Sequence, residues 1–333
     1  MNRGNEIKNT SCDLCGSADA DFILAAERLD GPLLRCRGCG LYFVELPPEK
    51  DLLELNQAGK NHDVASLNPG SRTSAEMTRL ADRARQLSLV EPDVETSEAP
   101  WRRITAEERV SDLKRFIDNG ILLEIGSSTG DFLASAGQTF KAEGVEADVN
   151  NLALCLSRSL DCRGGTLSDE QYPADHFDVA VLYHVIEHFR SPSSELRELH
   201  RVIKPGGLLA IETPDISSFW FSLLGSRWRQ IIPDHVFFFT PATLKILLDQ
   251  TGFEILESRS VGKAMSVRLF ISRLGRYHQS SARLIAGLSE KLGISDLTLR
   301  LKLGDVIRVY ARKKKGTKKD DETDEINETN EKD

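Results

Sequence analysis

Four of the six cysteines occur as two closely spaced pairs near the amino terminus. Cys12 and Cys15 form one C-x2-C pair, and Cys36 and Cys39 form the second. A glycine follows each pair, which frees the backbone to turn its amide groups toward the thiolates. Two such pairs are typical of a structural zinc site, in which four thiolates complete a tetrahedron around Zn²⁺.

Two other interpretations of these cysteines stay open. Disulfides are disfavoured if the protein resides in a reducing compartment. A rubredoxin-like iron centre uses the same four thiolates, and the sequence does not distinguish iron from zinc. Because four protein ligands leave no open coordination position, we expect a structural site, not a catalytic one. Cys155 and Cys162 lack partners at ligand spacing and are expected to be core thiols.

The run from Leu122 to Phe132 (LLEIGSSTGDF) has the residue types needed to hold a nucleotide-like ligand. Its apolar part predicts a buried strand that ends at Ile125, and Gly126 lets the backbone turn and approach a ligand closely. About twenty residues later, Glu146 ends a second predicted strand, where a carboxylate can accept both hydroxyls of a ribose.

The pattern of this loop narrows the choice of ligand. It lacks the Gly-Lys-Ser/Thr of a phosphate-binding loop and departs from G-x-G-x-x-G, so NAD or FAD is less suitable. The pattern acid-x-Gly-x-x-x-Gly suits a ligand that carries a methionine-like cation instead of a pyrophosphate. An ordinary strand–helix turn would explain the glycines, but not the acid that follows at the matching distance.

A second group of polar residues follows the strand predicted to end at Tyr183. His184, Glu187 and His188 lie there, and His235 lies on a later loop that could fold over the same opening. We expect His188 or His235 to act as a general base and Glu187 to orient an imidazole. Two alternatives stay open: a hydrogen-bond network at a helix start, and a metal site completed by His200.

The elements around these residues are those of an α/β protein. From residue 118 to 262, short apolar runs alternate with helical periodicity, which is typical of βαβ units and a parallel sheet. The runs predict strands at Ile121–Ile125, Ala142–Glu146, Phe177–Tyr183, Leu208–Glu212, Phe253–Ser258 and, after a helical stretch, Asp305–Ala311. Ser191-Pro192 and Thr240-Pro241 predict helix starts. Ligands of such sheets gather at the carboxyl ends of the strands.

The 333 residues carry a net charge of −8, which gives no general reason to expect a nucleic-acid or anionic-membrane partner. The amino terminus lacks the apolar core of a signal peptide. No apolar run approaches the roughly 20 residues that span a bilayer. We therefore expect a cytoplasmic protein without membrane insertion, and the sequence leaves its oligomeric state open.

Residues from about 118 to 262 resemble the class I S-adenosylmethionine-dependent methyltransferases, especially the small-molecule branch. The matching segments are Glu124–Gly130, Gly144–Glu146, Phe177–Val179, His184–His188, Arg201–Gly207, Asp234–Thr240 and Thr251–Phe253. The resemblance implies a Rossmann-like, seven-stranded, mostly parallel sheet with helices on both faces and an antiparallel last strand. Ser128 departs from the pattern, since the family often has a glycine there, but serine is small enough for the loop to survive.

By this resemblance, the loop residues Glu124, Gly126, Ser128 and Gly130 would hold the methionine end of S-adenosylmethionine, and Glu146 would bind its ribose. Thr166 and Leu167, after the third strand, would meet the adenine. Tyr183 and His184 would line the cavity in which the methyl group is transferred.

Composition, together with the resemblance, divides the chain into four segments. We expect a zinc ribbon at residues 1–48, a helical linker or lid at 49–117, the methyltransferase domain at 118–312 with a helical insertion at about 265–300, and a disordered charged tail at 313–333. The combination resembles bacterial methyltransferases with a zinc ribbon ahead of the catalytic domain, some of which act on nucleotide-linked sugars.

The expected function is therefore methyl transfer to a small polar metabolite, such as a sugar nucleotide. An RNA methyltransferase that grips its substrate with the ribbon is an alternative, which an electropositive face at Arg28, Arg35 and Arg37 would favour. A non-catalytic module that binds S-adenosylmethionine and zinc is a second alternative, which a pocket without space beside the sulfonium would favour.

Overall fold

The computed structural model describes residues 11–45, 92–275, 279–295 and 297–315. Most of the predicted linker, over residues 46–91, and the charged tail beyond residue 315 lie outside the described residues. Within the described ranges, no helix has the length and apolar character needed to cross a membrane.

Eight helices are described in these ranges. Their bounds are α1 (Pro92–Leu113), α2 (Asp131–Ala136), α3 (Val149–Ser157), α4 (Pro192–Val202), α5 (Phe219–Leu224), α6 (Pro241–Gln250), α7 (Val267–Leu274) and α8 (Gln279–Lys291). Two of them begin as predicted. The Ser191 side chain accepts a hydrogen bond from the Ser194 amide at the start of α4, and Thr240 forms a reciprocal capping box with Thr243 at the start of α6.

The strands form three sheets. Their bounds are β1 (Ala20–Leu24), β2 (Leu33–Cys36), β3 (Tyr42–Val44), β4 (Ile121–Ile125), β5 (Lys141–Glu146), β6 (Cys162–Gly164), β7 (Phe177–Tyr183), β8 (Ile203–Pro214), β9 (Phe237–Phe238), β10 (Phe253–Ser260), β11 (Lys263–Ser266), β12 (Thr298–Leu301) and β13 (Val306–Lys313).

The central sheet has seven strands in the order β10-β13-β8-β7-β4-β5-β6. Strands β6, β5, β4, β7 and β8 pair in parallel, and β13 lies antiparallel between β8 and β10. The middle of the sheet is buried on both faces, as expected for parallel strands covered by helices. This confirms the predicted Rossmann-like, mostly parallel fold with an antiparallel last strand.

The amino-terminal segment, residues 11–45 (the ribbon), packs against the domain that contains the central sheet. Strand β9, from the middle of the chain, completes an antiparallel four-stranded sheet with β1, β2 and β3, in which Phe43 pairs with Phe237. Leu14, Leu34 and Phe43 belong to the same buried cluster as core residues of the central sheet. The ribbon and the central domain therefore share both a sheet and a hydrophobic core.

The stretch expected to be a helical insertion contains α7 and α8, but it also contains strands. Strands β11 and β12 pair antiparallel and bracket the two helices. The prediction missed them because each has only four residues, which is short for a recognisable period-two pattern.

Candidate active site and candidate metal centre

The loop after β4 contains three residues with left-handed backbone conformations. Gly126 and Gly130 have φ angles of 73° and 78°, and Ser128 has a φ angle of 49°. A Cβ atom on Gly126 would lie 2.6 Å from Val185 Cγ2, and one on Gly130 would lie 2.4 Å from Leu160 Cδ1. Both glycines are therefore required by conformation and by space. Ser128 adopts the same conformation at some energetic cost.

Glu146 ends β5 beside this loop, as predicted, and is only 7% exposed. Its Oε2 accepts a hydrogen bond from the Ser128 amide at 2.6 Å, and its Oε1 accepts one from the Asp148 amide at 2.8 Å. Burial raises its pKa, while these two bonds oppose that effect. Since a carboxylate offers about four acceptor positions, each oxygen can still accept a ligand hydroxyl.

Glu124 lies in β4 and is 4% exposed. Its Oε2 has no hydrogen-bond partner within the described ranges, and burial raises its pKa well above the ordinary value despite the nearby charge of Arg109. A buried, unpartnered carboxylate oxygen is costly, and a cationic ligand would relieve that cost. Glu124, the glycine loop and Glu146 therefore fit a ligand with an ammonium group and ribose hydroxyls, as S-adenosylmethionine has.

The residues predicted to meet the adenine are engaged within the protein. The Thr166 amide and hydroxyl both donate hydrogen bonds to Asp169 Oδ2, at 2.8 and 2.7 Å. The Leu167 side chain belongs to the main core. Any contact of these two residues with adenine stays a prediction, and their side chains have a structural role in the turn after β6.

Tyr183 ends β7 with a buried ring that faces the amino-terminal helix. The ring packs edge-on against Phe132, with 4.9 Å between centroids, and the Arg109 guanidinium lies 4.2 Å from its centroid. Burial raises its pKa well above the ordinary value. Its hydroxyl has no hydrogen-bond partner among the described residues.

His184 follows Tyr183 in a left-handed conformation, with a φ angle of 61°. Its Nδ1 lies 3.3 Å from Glu187 Oε1, and its Nε2 lies 3.1 Å from Glu212 Oε1. Glu212 also binds Arg109 at 2.7 Å and Arg308 at 2.5 Å. Although burial opposes ionisation, Arg109, His184 and Arg308 hold the pKa of Glu212 well below its ordinary value.

The sequence analysis missed Arg109, Glu212 and Arg308. A signal was present, because Glu212 and Arg308 interrupt strands that are otherwise largely apolar. Charged residues are almost never fully buried unless they are paired. No spacing rule, however, connects an arginine on α1 with an acid on β8 and an arginine on β13.

Three predicted catalytic residues come together beyond β7. The Glu187 Oε2 accepts a hydrogen bond from the Thr213 hydroxyl at 2.9 Å, and His188 Nδ1 lies 2.7 Å from the Asp234 carbonyl oxygen. The rings of His188 and His235 lie 4.8 Å apart. One potential ligand atom from each of Glu187, His188 and His235 lies within 4.8 Å of the others.

The charge states in this cluster are set by burial and by proximity. Burial would raise the pKa of Glu187, but His184 and the other histidines lower it to about 2. Burial lowers the pKa of His235 to about 4, so its imidazole is neutral near pH 7. His200, the residue considered as a further metal ligand, instead packs against Phe253 with 5.4 Å between ring centroids, and it is not part of the cluster.

The four amino-terminal cysteines also come together. The Sγ atoms of Cys12 and Cys39 lie 3.5 Å apart, those of Cys15 and Cys36 lie 3.4 Å apart, and all four lie within 4.8 Å of one another. Sulfurs bound to one tetrahedral zinc would lie roughly 3.8 Å apart, given Zn–S bonds of about 2.3 Å. All six cysteines lie in the described part of the chain and are free, so the donor set fits a tetrahedral metal ion.

The amino-terminal ribbon contacts the chain a few residues after His188 and directly after His235. The carboxylate of Asp13 accepts hydrogen bonds from the Ser193 amide at 2.9 Å and the Ser191 hydroxyl at 2.5 Å, at the start of α4. The Val44 amide donates a hydrogen bond to the Val236 carbonyl at 2.8 Å. The sequence analysis did not single out Asp13, because a capping contact between distant segments has no local signature.

Comparison with known proteins gives matches to the central part of the chain. A structure described as a SAM dependent methyltransferase from Archaeoglobus fulgidus is 18% identical, with a TM-score of 0.47, over 65% of this chain and 97% of that chain. A Mycolicibacterium smegmatis protein named "Probable S-adenosylmethionine-dependent methyltransferase" is 29% identical over 145 residues, which are 42% of this chain and 54% of that protein.

A Ubiquinone biosynthesis O-methyltransferase from Ruegeria pomeroyi is 31% identical over 153 residues, which are 41% of this chain and 61% of that protein. The chain thus spans a little more than half the length of these two curated relatives. Residues 100–258 match the model of a family described as "Methyltransferase domain". This segment contains the glycine loop, Glu146 and the histidine cluster. This part of the chain is therefore similar to known methyltransferase domains.

Proposed function

We propose that this protein transfers a methyl group from S-adenosylmethionine to a small polar acceptor, with a sugar nucleotide as the expected class. One observation carries the proposal: the glycine loop packs directly against Val185, the residue after His184. The residues suited to the cofactor and the residues suited to proton transfer therefore share one edge of the sheet, where α/β enzymes bind their ligands.

When bound, S-adenosylmethionine supplies a methyl carbon attached to a positively charged sulfur. Glu124 opposes the ammonium charge of its methionine part, and Glu146 accepts hydrogen bonds from its ribose hydroxyls. The loop from Gly126 to Gly130 allows the close approach of the ligand to the backbone. By the family resemblance, Thr166 and Leu167 form the border of the adenine site.

S-adenosylmethionine would supply the methyl group, and the acceptor would have to give up a proton when it takes that group. We assign the removal of that proton to His188 or His235, and the orientation of the imidazole to Glu187. The Nδ1 of His188 lies at hydrogen-bond distance from the Asp234 carbonyl, so its Nε2 carries the lone pair in the neutral tautomer. A correctly placed proton acceptor contributes typically about 10²–10⁴-fold to the rate.

The four cysteines are proposed to hold Zn²⁺ as a structural ion. A four-thiolate site fixes the loops on both sides of the ribbon strands, and β3 of that ribbon pairs with β9, two residues after His235. Free thiols agree with the proposed cytoplasmic location. The ribbon would thus support the part of the site that binds the methyl acceptor. A rubredoxin-like iron centre at the four cysteines would give the same support.

RNA is a less suitable acceptor. Two of the three ribbon arginines that could form an electropositive face are exposed but contact other ribbon residues. Arg37 pairs with Asp21 at 2.7 Å, and the Arg35 guanidinium lies 5.5 Å from the Tyr42 ring centroid. Together with the net charge of −8, this favours a small-molecule acceptor over a polyanion.

Calorimetry with S-adenosylhomocysteine tests the proposed cofactor. We expect the protein to bind it and the Glu146→Ala variant to bind at least about tenfold more weakly, since hydrogen bonds to a charged group contribute about 1.5–3 kcal/mol. Glu143→Gln is the matched control, because Glu143 lies on the same strand but faces Lys141 and Arg163. A protein that does not bind S-adenosylhomocysteine would overturn the proposal.

The acceptor is tested by measuring release of S-adenosylhomocysteine over a panel of nucleotide sugars and RNAs. Turnover with a nucleotide sugar is expected, and replacement of His188 or His235 by glutamine should lower kcat at least about tenfold. Turnover with RNA alone would favour the alternative function. Binding of the cofactor without turnover on either class would favour the non-catalytic module.

A further inference from the structure

The cluster of Glu187, His188 and His235 has the arrangement of a metal site, which a simple hydrogen-bond network of histidines does not require. His188 lies on the short helical turn after β7, whereas His235 lies on the segment before β9, and the two rings nevertheless meet with centroids 4.8 Å apart. One ligand atom of each of the three residues lies within 4.8 Å of the others. This inference concerns the same edge of the sheet and therefore rests on the proposed function.

His188 is held in the orientation of a metal ligand. Its Nδ1 lies 2.7 Å from the Asp234 carbonyl oxygen. Metal-binding histidines almost always donate the N–H of one ring nitrogen to a carbonyl or carboxylate, which fixes the ring and directs the other lone pair at the ion. Because Asp234 directly precedes His235, one short segment both supplies a ligand and orients another.

Glu187 and His235 are buried with unused polar atoms. Glu187 is 1% exposed, and its Oε2 accepts a hydrogen bond from Thr213. Its Oε1 lies 3.3 Å from His184 Nδ1 but forms no aligned hydrogen bond within the described ranges. His235 is 4% exposed, its Nε2 lies 4.0 Å from that Oε1, and its Nδ1 also lacks a partner there. Polar atoms that stay incompletely paired at such burial are costly in protein alone, whereas a cation bound by one atom of each residue would pair with Glu187 Oε1 and with one ring nitrogen of each histidine.

The donor set selects the class of ion. Two imidazoles and one carboxylate suit borderline divalent ions such as Mn²⁺, Fe²⁺ and Zn²⁺, and they are a poor match for Ca²⁺, which takes oxygen ligands. Three protein ligands also leave coordination positions open, as catalytic metal sites do. The Cys12, Cys15, Cys36 and Cys39 cluster differs, since its four ligands leave none.

We propose that Glu187, His188 and His235 form a second metal site, which binds one divalent transition-metal ion and offers its open positions to the methyl acceptor. In this arrangement His188 and His235 bind the ion instead of accepting the proton directly. The ion lowers the pKa of a hydroxyl that it binds, so the acceptor proton passes to solvent. The acceptor oxygen then forms a bond to the methyl carbon, and the electron pair of the breaking carbon–sulfur bond stays on sulfur. Acceptors with a hydroxyl next to a second oxygen are the favoured class, because they can chelate the ion.

Binding of Mn²⁺ to the full-length protein tests the site separately from the cysteines. Thiolates are soft ligands that Mn²⁺ does not favour, so a Mn²⁺ titration followed by electron paramagnetic resonance reports on the second site alone. We expect one Mn²⁺ per chain. His188→Gln and His235→Gln should each weaken binding at least about tenfold, because even outer residues of metal sites contribute about 10–100-fold.

His200→Gln is the matched control, since His200 is a partly buried histidine outside the cluster. Its Mn²⁺ binding should equal that of the unaltered protein. Folding of every variant is checked by circular dichroism and thermal unfolding, and His188→Gln is the more tolerant change because His188 is less buried than His235. Absence of bound Mn²⁺ in the unaltered protein, or binding by both cluster variants equal to that of the unaltered protein, would overturn the proposal.

The same samples are titrated with S-adenosylhomocysteine, so that the two proposals fail separately. Cluster variants should still bind it, because Glu124, the glycine loop and Glu146 are unchanged. A protein that binds S-adenosylhomocysteine but no Mn²⁺ refutes the metal site alone. A protein that binds Mn²⁺ but not S-adenosylhomocysteine keeps the metal site and refutes the proposed function.

Discussion

The proposed cofactor side and the proposed acceptor side of the candidate active site are built in different ways. The cofactor side comes from two neighbouring strands, β4 and β5, and the loop that follows each, all between Glu124 and Asp148. The acceptor side combines His184–His188, Glu212 and His235, and it is supported by Arg109 on α1, Arg308 on β13 and the ribbon. The first side depends on local backbone geometry, whereas the second depends on contacts between distant segments.

Among the substitutions that test this difference, Glu212→Gln is expected to have the largest effect on stability. The substitution removes the carboxylate shared by the partly buried Arg109 and the buried Arg308, which then keeps only Asp112 as an acidic partner. Removing one partner of a buried ion pair costs about 3–5 kcal/mol. We expect a loss of free energy of unfolding of that order at pH 7, measured by urea denaturation. Glu257→Gln is the control, because it removes an acid that pairs with Arg115 on the surface of the protein. Equal losses in both variants would contradict a special role of the buried network.

We also expect the effect of Glu212→Gln on stability to depend on pH. The pKa of Glu212 is lowered in the folded state, so its stabilising effect is complete above the ordinary value of 4.5 and is lost as pH falls from 4.5 toward the folded-state pKa. The difference in stability between the unaltered protein and Glu212→Gln should therefore be constant from pH 7 to pH 5 and shrink below pH 4.5. A difference that shrinks above pH 5 would assign the effect to another group.

Gly126→Ala should disturb the cofactor side. A Cβ at this position is strained by the φ angle of 73° and meets Val185 Cγ2 at 2.6 Å, and the left-handed conformation alone costs about 1–2 kcal/mol. We expect this loss of stability together with weaker binding of S-adenosylhomocysteine in calorimetry. Gly137→Ala is the matched control, because Gly137 has a right-handed conformation (φ −60°) and a new Cβ there has its nearest neighbour at 3.4 Å.

Asp13→Ala tests whether the ribbon supports the acceptor side. The loss of a cap at the start of α4 should cost about 1 kcal/mol, and it should lower kcat while S-adenosylhomocysteine binds as before. Asp21→Ala is the control, since Asp21 pairs with Arg37 on the exposed surface of the same ribbon. If Asp13→Ala weakens S-adenosylhomocysteine binding instead, the ribbon supports both the cofactor side and the acceptor side. That result would contradict the difference proposed between them.

Ser128→Gly should have the smallest effect. Glycine removes the strain of a left-handed serine, at φ 49°, but it also gives the unfolded chain more freedom, and the two effects are each about 1 kcal/mol. We expect a change in stability below about 1 kcal/mol and unchanged S-adenosylhomocysteine affinity. A large gain in affinity would show that the Ser128 side chain, and not the shape of the loop, limits the binding of S-adenosylhomocysteine.

Much of the fold could be predicted from local patterns. The predicted strand Phe177–Tyr183 has the observed bounds, and Ser191 and Thr240 cap helices as expected, because caps and apolar runs act over a few residues. The short strands β11 and β12 and the pairing of β3 with β9 were not predictable in this way. Their partners lie far away in the chain, and their own sequences are too short to show a period.

The sequence alone determined the parts that depend on residue type at close spacing: the two cysteine pairs, the left-handed glycines of the loop, and the acid that follows on the next strand. Only the tertiary structure decided that His235 faces Glu187 and His188, that Arg109 and Arg308 share Glu212, and that the ribbon strand pairs with the segment after His235. The physical reason is that covalent geometry links neighbours along the chain, whereas these side chains meet only once the sheet and its shared core have formed.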